Sequence, residues 1–375
     1  MTKFPHNDII SLLDENLRFN LAESTAQDLA VGDILTDEVL ERLKQLRLGY
    51  GSSQGNSELR RELAKHLELS PENVLLTNGA VAAIFLTTFV LCQSGDEVVT
   101  VAPNFPPTLD IISALGAQRR VVKLSFDEQY RLTVEPIVEC LSEKTKLIIL
   151  ATPHNPSGVA MPIEKINNIL ALVEEKCPDA WLMIDETYRE ATYGNESGIK
   201  SAANFSNRII TTASFSKCHG APGLRVGWLT CQSNELMKQL VLAKMNTVIS
   251  CSVVDELLAL EVFRRRTDIL NARRKVLNEA FELTSDWVRQ NGEYVEWVRP
   301  EAGALCCIRL RESIFNDSSL NEFIGQSRSH QLQLASGTWF SDDERVFRLG
   351  FGYLPITEFK LALAALSNLL KTVVS

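Results

Sequence analysis

RIITTASFSKCHGAPGLRVGWLT, residues 208–230, opens and closes on short apolar, β-branched runs and carries its polar chemistry in between. Arg208 to Ala213 and Val226 to Thr230 read as strands with no solvent-facing side, the pattern of a sheet covered on both faces. Ligands of such sheets sit at the carboxyl ends of the strands. Lys217, placed just past a strand, is therefore expected to face a crevice, whereas a lysine taken alone is usually a surface residue. Ser214 and Ser216 bring hydroxyls to the same loop. Gly220, Gly223 and Arg225 follow, and an arginine with nearby hydroxyls and backbone N–H groups suits a phosphate-like anion.

The same alternation extends outward from this stretch. Asn73 to Thr77, Glu97 to Val101, Arg120 to Lys123, Lys146 to Ala151 and Trp181 to Asp185 read as further short strands. Glu58 to Leu67 and Ala80 to Cys92 read as helices. The expected class is α/β, with a mostly parallel sheet in a large domain. Beyond a long helical region starting near Glu235, Val295 to Val298, Ala304 to Leu310 and Arg345 to Leu349 suggest a smaller α+β unit. The first forty residues lack a sheet pattern and are expected to join that unit as an arm. The expected division is 1–40 (arm), 41–265 (large domain) and 266–375 (small domain), in keeping with a length above what one core usually serves.

Composition narrows the function classes. Hydrophobic residues make up 45% and charged residues 23%, as in an ordinary globular chain, and the net charge is −9. No Lys/Arg excess is present to displace nucleic-acid counterions. The basic run Arg264-Arg265-Arg266, with Arg273-Arg274-Lys275 after it, is expected to be a solvated helix face. Eight cysteines and five histidines show no metal-like spacing, which predicts reduced thiols and no metal site. The charged N-terminus is not a signal peptide, and no stretch reaches the ~20 apolar residues of a membrane span. A cytoplasmic protein without nucleic-acid or membrane partners is expected.

Other strand ends also carry chemistry. Thr77-Asn78-Gly79-Ala80-Val81 passes from strand to helix, where free N–H groups and the helix dipole favour an anion. Ile184-Asp185-Glu186-Thr187-Tyr188 closes another strand with a carboxylate and a phenol. Pro153-His154-Asn155-Pro156-Ser157-Gly158 and Pro103-Asn104-Phe105-Pro106 close two more. In chain order the set TNGAV, APNFP, PHNPSG, DETY and SFSKCHGAPGLRVG resembles the fold type I pyridoxal 5′-phosphate enzymes of aminotransferase class I/II. The resemblance covers nearly the whole chain, including Tyr50-Gly51-Ser52-Ser53-Gln54-Gly55 and Phe347-Arg348-Leu349-Gly350.

That resemblance implies a role for each residue. Lys217 holds the cofactor as a Schiff base. Asp185 keeps the ring nitrogen protonated, since an opposite charge favours the charged form. Tyr188 and Asn155 bond the phenolic oxygen, and Phe105 stacks on the ring, a core aromatic being its ordinary alternative. Gly79, Ala80, Val81, Ser214, Ser216 and Arg225 hold the phosphate. Tyr50 reaches the partner subunit's cofactor in a homodimer, and Arg348 clamps the α-carboxylate of an amino-acid substrate.

The reaction is read from the arm. Asn20-Leu21-Ala22-Glu23-Ser24-Thr25-Ala26-Gln27 lacks the apolar-glycine segment of ordinary aminotransferases. It is similar to the arm of pyridoxal-phosphate cyclases acting on arginine derivatives, capreomycidine synthase and L-enduracididine-forming enzymes among them. Glu23 and Thr25 would then meet a guanidinium and manage protons, with a helix-capping turn as the plain alternative. The resemblance implies a cyclodehydratase for γ-hydroxy-L-arginine. An ordinary amino-acid aminotransferase shares every core residue named. A cofactor-binding regulator without turnover would carry a DNA-binding module, for which 375 residues leave no room.

Overall fold

A computed structural model describes residues 3–14, 17–194 and 198–374. In chain order the strands are β1 (Phe19–Asn20), β2 (Val74–Thr77), β3 (Glu97–Ala102), β4 (Gln118–Lys123), β5 (Thr145–Ala151), β6 (Trp181–Asp185), β7 (Ile209–Ser214), β8 (Gly227–Cys231), β9 (Val295–Val298), β10 (Leu305–Leu310), β11 (Leu332–Gln333), β12 (Ala335–Ser336) and β13 (Val346–Gly350).

Seven of these form one sheet in the order β2-β8-β7-β6-β5-β3-β4. All its pairings are parallel except those of β8, which runs against both β2 and β7. Side chains alternate between two buried faces, which explains the unbroken apolar strands. Ile149, Met183, Ile210 and Leu229 pack with Ile84 of helix Gly79–Leu91 and Leu240 of helix Asn234–Thr247. Ile148, Leu182, Ile184 and Ile209 pack on the other side against Ile166, Ile169 and Val173 of helix Ile163–Lys176. Each such side chain contributes about 1.5–3 kcal/mol by burial. A rigid sheet floor under the strand ends is the result.

A second sheet, β12-β13-β10-β9, is antiparallel throughout. One core gathers its Ile308, Phe347 and Leu349 with Phe281 and Trp287 of helix Arg266–Gln290 and Leu363, Leu366 and Leu370 of helix Ile356–Val374. The arm joins here. β1 pairs in parallel with β11, and Gly350 N–H donates to Leu21 O at 2.7 Å. Gly350 is required by this approach: a Cβ there would lie 1.7 Å from the Glu23 carbonyl oxygen.

The basic run is not a free solvated face. Arg265 donates to Asp33 O at 2.8 Å, Arg273 to Gln27 O at 2.6 Å and Arg274 to Thr192 Oγ1 at 2.8 Å. Arg264 pairs with Glu261 at 2.9 Å. Guanidinium groups at the start of the long helix thus tie down the arm and the neighbouring loops, which a charge count does not reveal.

Candidate active site

β6 and β7 lie side by side in register, Asp185 opposite Thr212, so their carboxyl ends open on one crevice. Asp185 is the last residue of β6. Its Oδ1 accepts from the Thr187 N–H at 2.9 Å and from the Thr187 hydroxyl. Burial pushes this carboxyl above the usual range, with the Thr187 bonds opposing. Ser214 ends β7, and its hydroxyl accepts from Ser216 N–H at 3.3 Å. Lys217 follows at once and keeps a quarter of its side-chain surface exposed, 25%.

The arm supplies the partner of that lysine. Lys217 Nζ donates to Glu23 Oε1 at 2.9 Å. The same oxygen accepts from Ser24 N–H at 2.7 Å and Thr25 N–H at 3.0 Å. Burial works against the Glu23 charge, yet Lys217, with Arg348 farther off, brings its pKa down to about 2. Burial also works against the Lys217 charge; Tyr188 and Glu23 outweigh it and raise its pKa. The alternative of a helix-capping turn does not hold. No helix begins at Glu23–Thr25, and the carboxylate closes a turn of its own while holding the lysine.

A chain of hydrogen bonds leaves the arm and returns to it. Ser24 Oγ meets Tyr188 Oη at 2.9 Å, and Asn155 Nδ2 reaches the same phenol at 3.5 Å. Arg348 Nη1 donates to Asn155 Oδ1 at 2.9 Å, and Nη2 donates to Ala22 O at 2.6 Å. Arg348, at the middle of β13, is 2% exposed, and its Nε finds no acceptor among the described residues. Thr25 Oγ1 is likewise buried without a partner. Buried donors of this kind carry a free-energy cost unless something else satisfies them.

Beside the end of β7 lies a cradle for an anion, since a Cβ on Gly227 would meet both Ala213 O and Ala80 N at 2.8 Å. Helix Gly79–Leu91 begins at β2 with Gly79, Ala80 and Val81 in its first turn, so their N–H groups are free for a ligand. Gly79 has φ +76°, and any Cβ there would stand 2.8 Å from Arg225 Nη2. Arg225, itself left-handed at φ +50°, is thereby pressed onto the helix start. Gly220 serves another purpose than expected: a Cβ on it would meet Gln27 O at 2.1 Å, so it admits the arm rather than an anion. Phe105 caps helix Pro106–Ala114 and is half-buried. Tyr50 stands apart, 85% exposed on the loop before helix Ser57–His66.

The family model of aminotransferase class I and II matches residues 18–338. The chain belongs to this family. It is 29% identical to a probable aspartate aminotransferase of Methanocaldococcus jannaschii over 59% of this chain and 61% of that protein. Matches to two further aspartate aminotransferases span 50% and 55% of their lengths. It is 26% identical to capreomycidine synthase of Streptomyces vinaceus over 88% of this chain and 83% of that one. A crystal structure of the pyridoxal-phosphate-dependent cyclase OrfR superposes with a TM-score of 0.84 at 23% identity, covering 94% of this chain and 93% of that chain.

The family's cofactor is pyridoxal 5′-phosphate, and the residues fit it. A lysine beside a buried carboxyl, an arginine pressed on a helix N-terminus and a buried arginine with a spare donor are the charges that such a cofactor and an amino acid need. No helix among the described residues is long and apolar enough to cross a membrane. Sequence reasoning passed over Thr187, which steadies Asp185, and the Ala22 carbonyl, which takes one Arg348 donor. It quoted Ser24 only as part of a turn. Ser24 and Ala22 carry no signal of their own, since each acts through a contact distant in sequence, whereas Thr187 acts on a residue only two positions away.

Proposed function

We propose that the protein is a cytoplasmic, homodimeric cyclodehydratase that converts γ-hydroxy-L-arginine to the cyclic guanidine amino acid L-enduracididine. It would thus resemble the cyanobacterial cyclase of guanitoxin biosynthesis. The observation that carries this reading is the Glu23 carboxylate, delivered by the arm to within 2.9 Å of Lys217 Nζ. An ionised carboxylate fixed there favours a substrate whose side chain ends in a cation.

When bound, pyridoxal phosphate supplies the electron sink for charge developing at the substrate α-carbon. Gly79, Ala80, Val81, Ser214, Ser216 and Arg225 hold its phosphate, with Tyr50 of a second subunit reaching in, and Phe105 covers the ring. Asp185 holds the proton on the pyridine nitrogen, and Tyr188 and Asn155 bond the phenolic oxygen. Arg348 binds the substrate α-carboxylate with the donor it has to spare. Lys217 would carry the cofactor at rest, take protons from Cα and Cβ, and return protons to both carbons once the ring has closed. Glu23 and Thr25 would face the side chain, where the γ-hydroxyl takes up a proton and leaves as water, and a guanidine nitrogen bonds to Cγ and gives up a proton. One positioned acid–base group contributes about 10²–10⁴-fold to such a step.

The resemblance to capreomycidine synthase over most of the chain supports a cyclase. The match to aspartate aminotransferases favours the second reading, a transaminase built on the same core. Incubation with γ-hydroxy-L-arginine in heavy water separates them. The cyclase takes up deuterium at Cα and Cβ and forms a product lighter by one water, with no 2-oxo acid added. Turnover that requires a 2-oxo acid and yields only keto acid from a plain amino acid would overturn the proposal. Thr25→Ala is expected to spare Cα exchange and to slow the loss of water, whereas Glu23→Ala, which also removes the Lys217 partner, is expected to slow both, the loss of water more.

A further inference from the structure

Lys244, in helix Asn234–Thr247, is 0% exposed, yet its Nζ has no regular hydrogen-bond acceptor among the described residues. Its electrostatic neighbours are Glu256 and the Cys251 thiol. Glu256 is 2% exposed and offers one oxygen, Oε2, to Asn56 N–H at 3.0 Å, while Oε1 is unpartnered. The two charges make no ion pair with each other. Lys244 thus has the Cys251 thiol beside it and Glu256 acting on it without a close ion pair, so a buried ammonium here can still take further negative charge in the working state.

The surroundings say what that charge is. Lys244 stands in the wall of a cleft of about 540 Å³ shared with Thr77, Asn78, Val81 and Arg225. Val81 and Arg225 belong to the anion cradle and Asn78 precedes its helix, while the rest of the wall is mostly apolar, Phe85, Leu86 and Ile111 among it. Cys251 donates to Asn78 Oδ1 at 3.3 Å, coupling the Lys244 neighbourhood to the residue that precedes the helix start. On the far side, a Cβ on Gly51 would lie 3.9 Å from Glu256 Oε2 and 4.0 Å from Ser250 Cβ, so the loop bearing exposed Tyr50 rests on the same group. We propose that Lys244 is a further positive charge of the phosphate site, lying behind Asn78 and Arg225 and acting on the cofactor phosphate from the protein interior.

This inference rests on the phosphate lying at Gly79 and Arg225, as proposed above. The test compares pyridoxal 5′-phosphate with pyridoxal, which lacks the phosphate, by visible-absorbance titration of the purified cofactor-stripped full chain. In Lys244→Met and Lys244→Gln the preference for the phosphorylated form is expected to fall at least about tenfold, with pyridoxal binding unchanged. The Gln variant keeps a polar group in the wall should the Met variant fold poorly. Equal weakening of both compounds would assign Lys244 a structural role only and overturn the proposal. An unchanged preference would overturn it as well. Arg225→Gln serves as the control. If it leaves the preference intact, the phosphate placement itself fails; if it lowers the preference and the Lys244 variants do not, only the role of Lys244 fails.

Discussion

Glu23 shows how much one side chain can carry. A single oxygen takes hydrogen bonds from Lys217, Ser24 and Thr25, so the arm's turn and the site's lysine share one anchor. Its folded pKa of about 2 lies below the unfolded value near 4.5. The stabilisation from its charge is thus fully present above pH 4.5 and lost as pH falls toward 2. That difference corresponds to about 3 kcal/mol at neutral pH as an upper bound. Glu23→Gln is expected to lower the stability of the cofactor-free protein at pH 7 by up to that amount. The gap from wild type should shrink steadily below pH 4.5, as read by denaturant titration at several pH values. A gap that stays constant with pH would mean that packing, not charge, holds the turn.

At the scale of elements, the arm is a strap laid across the small sheet, and Gly350 is where it lies closest. Gly350→Ala would push a methyl into the Glu23 carbonyl, 1.7 Å from the Cβ position. Overpacking of this kind costs about 1–3 kcal/mol. The expected result is a lowered melting temperature with faster amide exchange at residues 19–26, while exchange in the strands of the large sheet is unchanged. Uniform destabilisation across both sheets would contradict the strap. The elements also show what a sequence can reveal. The strands of the large sheet are legible to within two residues, because β5, β6 and β7 are buried on both faces and their apolar runs say so. The strand-end residues Asp185, Lys217 and Ser214 follow from that reading. β1, β11 and β12 are not legible: each is two residues long and exists only through pairing with a distant segment. The Glu23–Lys217 contact is hidden for the same reason, being set by the docking of the arm on β13. Arg273 and Gly220, which look like surface charge and anion loop, are instead arm contacts.

At the scale of the molecule, one chain ties Lys217, Tyr188, Asn155 and Arg348 together through the arm but leaves Tyr50 apart, 85% exposed. The proposed homodimer predicts complementation. Neither Tyr50→Ala nor Lys217→Ala alone forms an intact site, yet mixed dimers of the two contain one site with a native lysine and a native tyrosine. Denaturing and refolding the two variants together is expected to restore tight cofactor binding in a fraction of sites. If refolded mixtures bind no better than the sum of the separate variants, Tyr50 does not act across an interface. The central claim is the identity of the lysine that holds the cofactor, and borohydride reduction of the pyridoxal-phosphate-loaded protein tests it most directly. Peptide mapping by mass spectrometry is expected to find the stable phosphopyridoxyl group on Lys217 alone, with no label and no visible absorbance in Lys217→Ala. A label on another lysine, Lys244 above all, would contradict it.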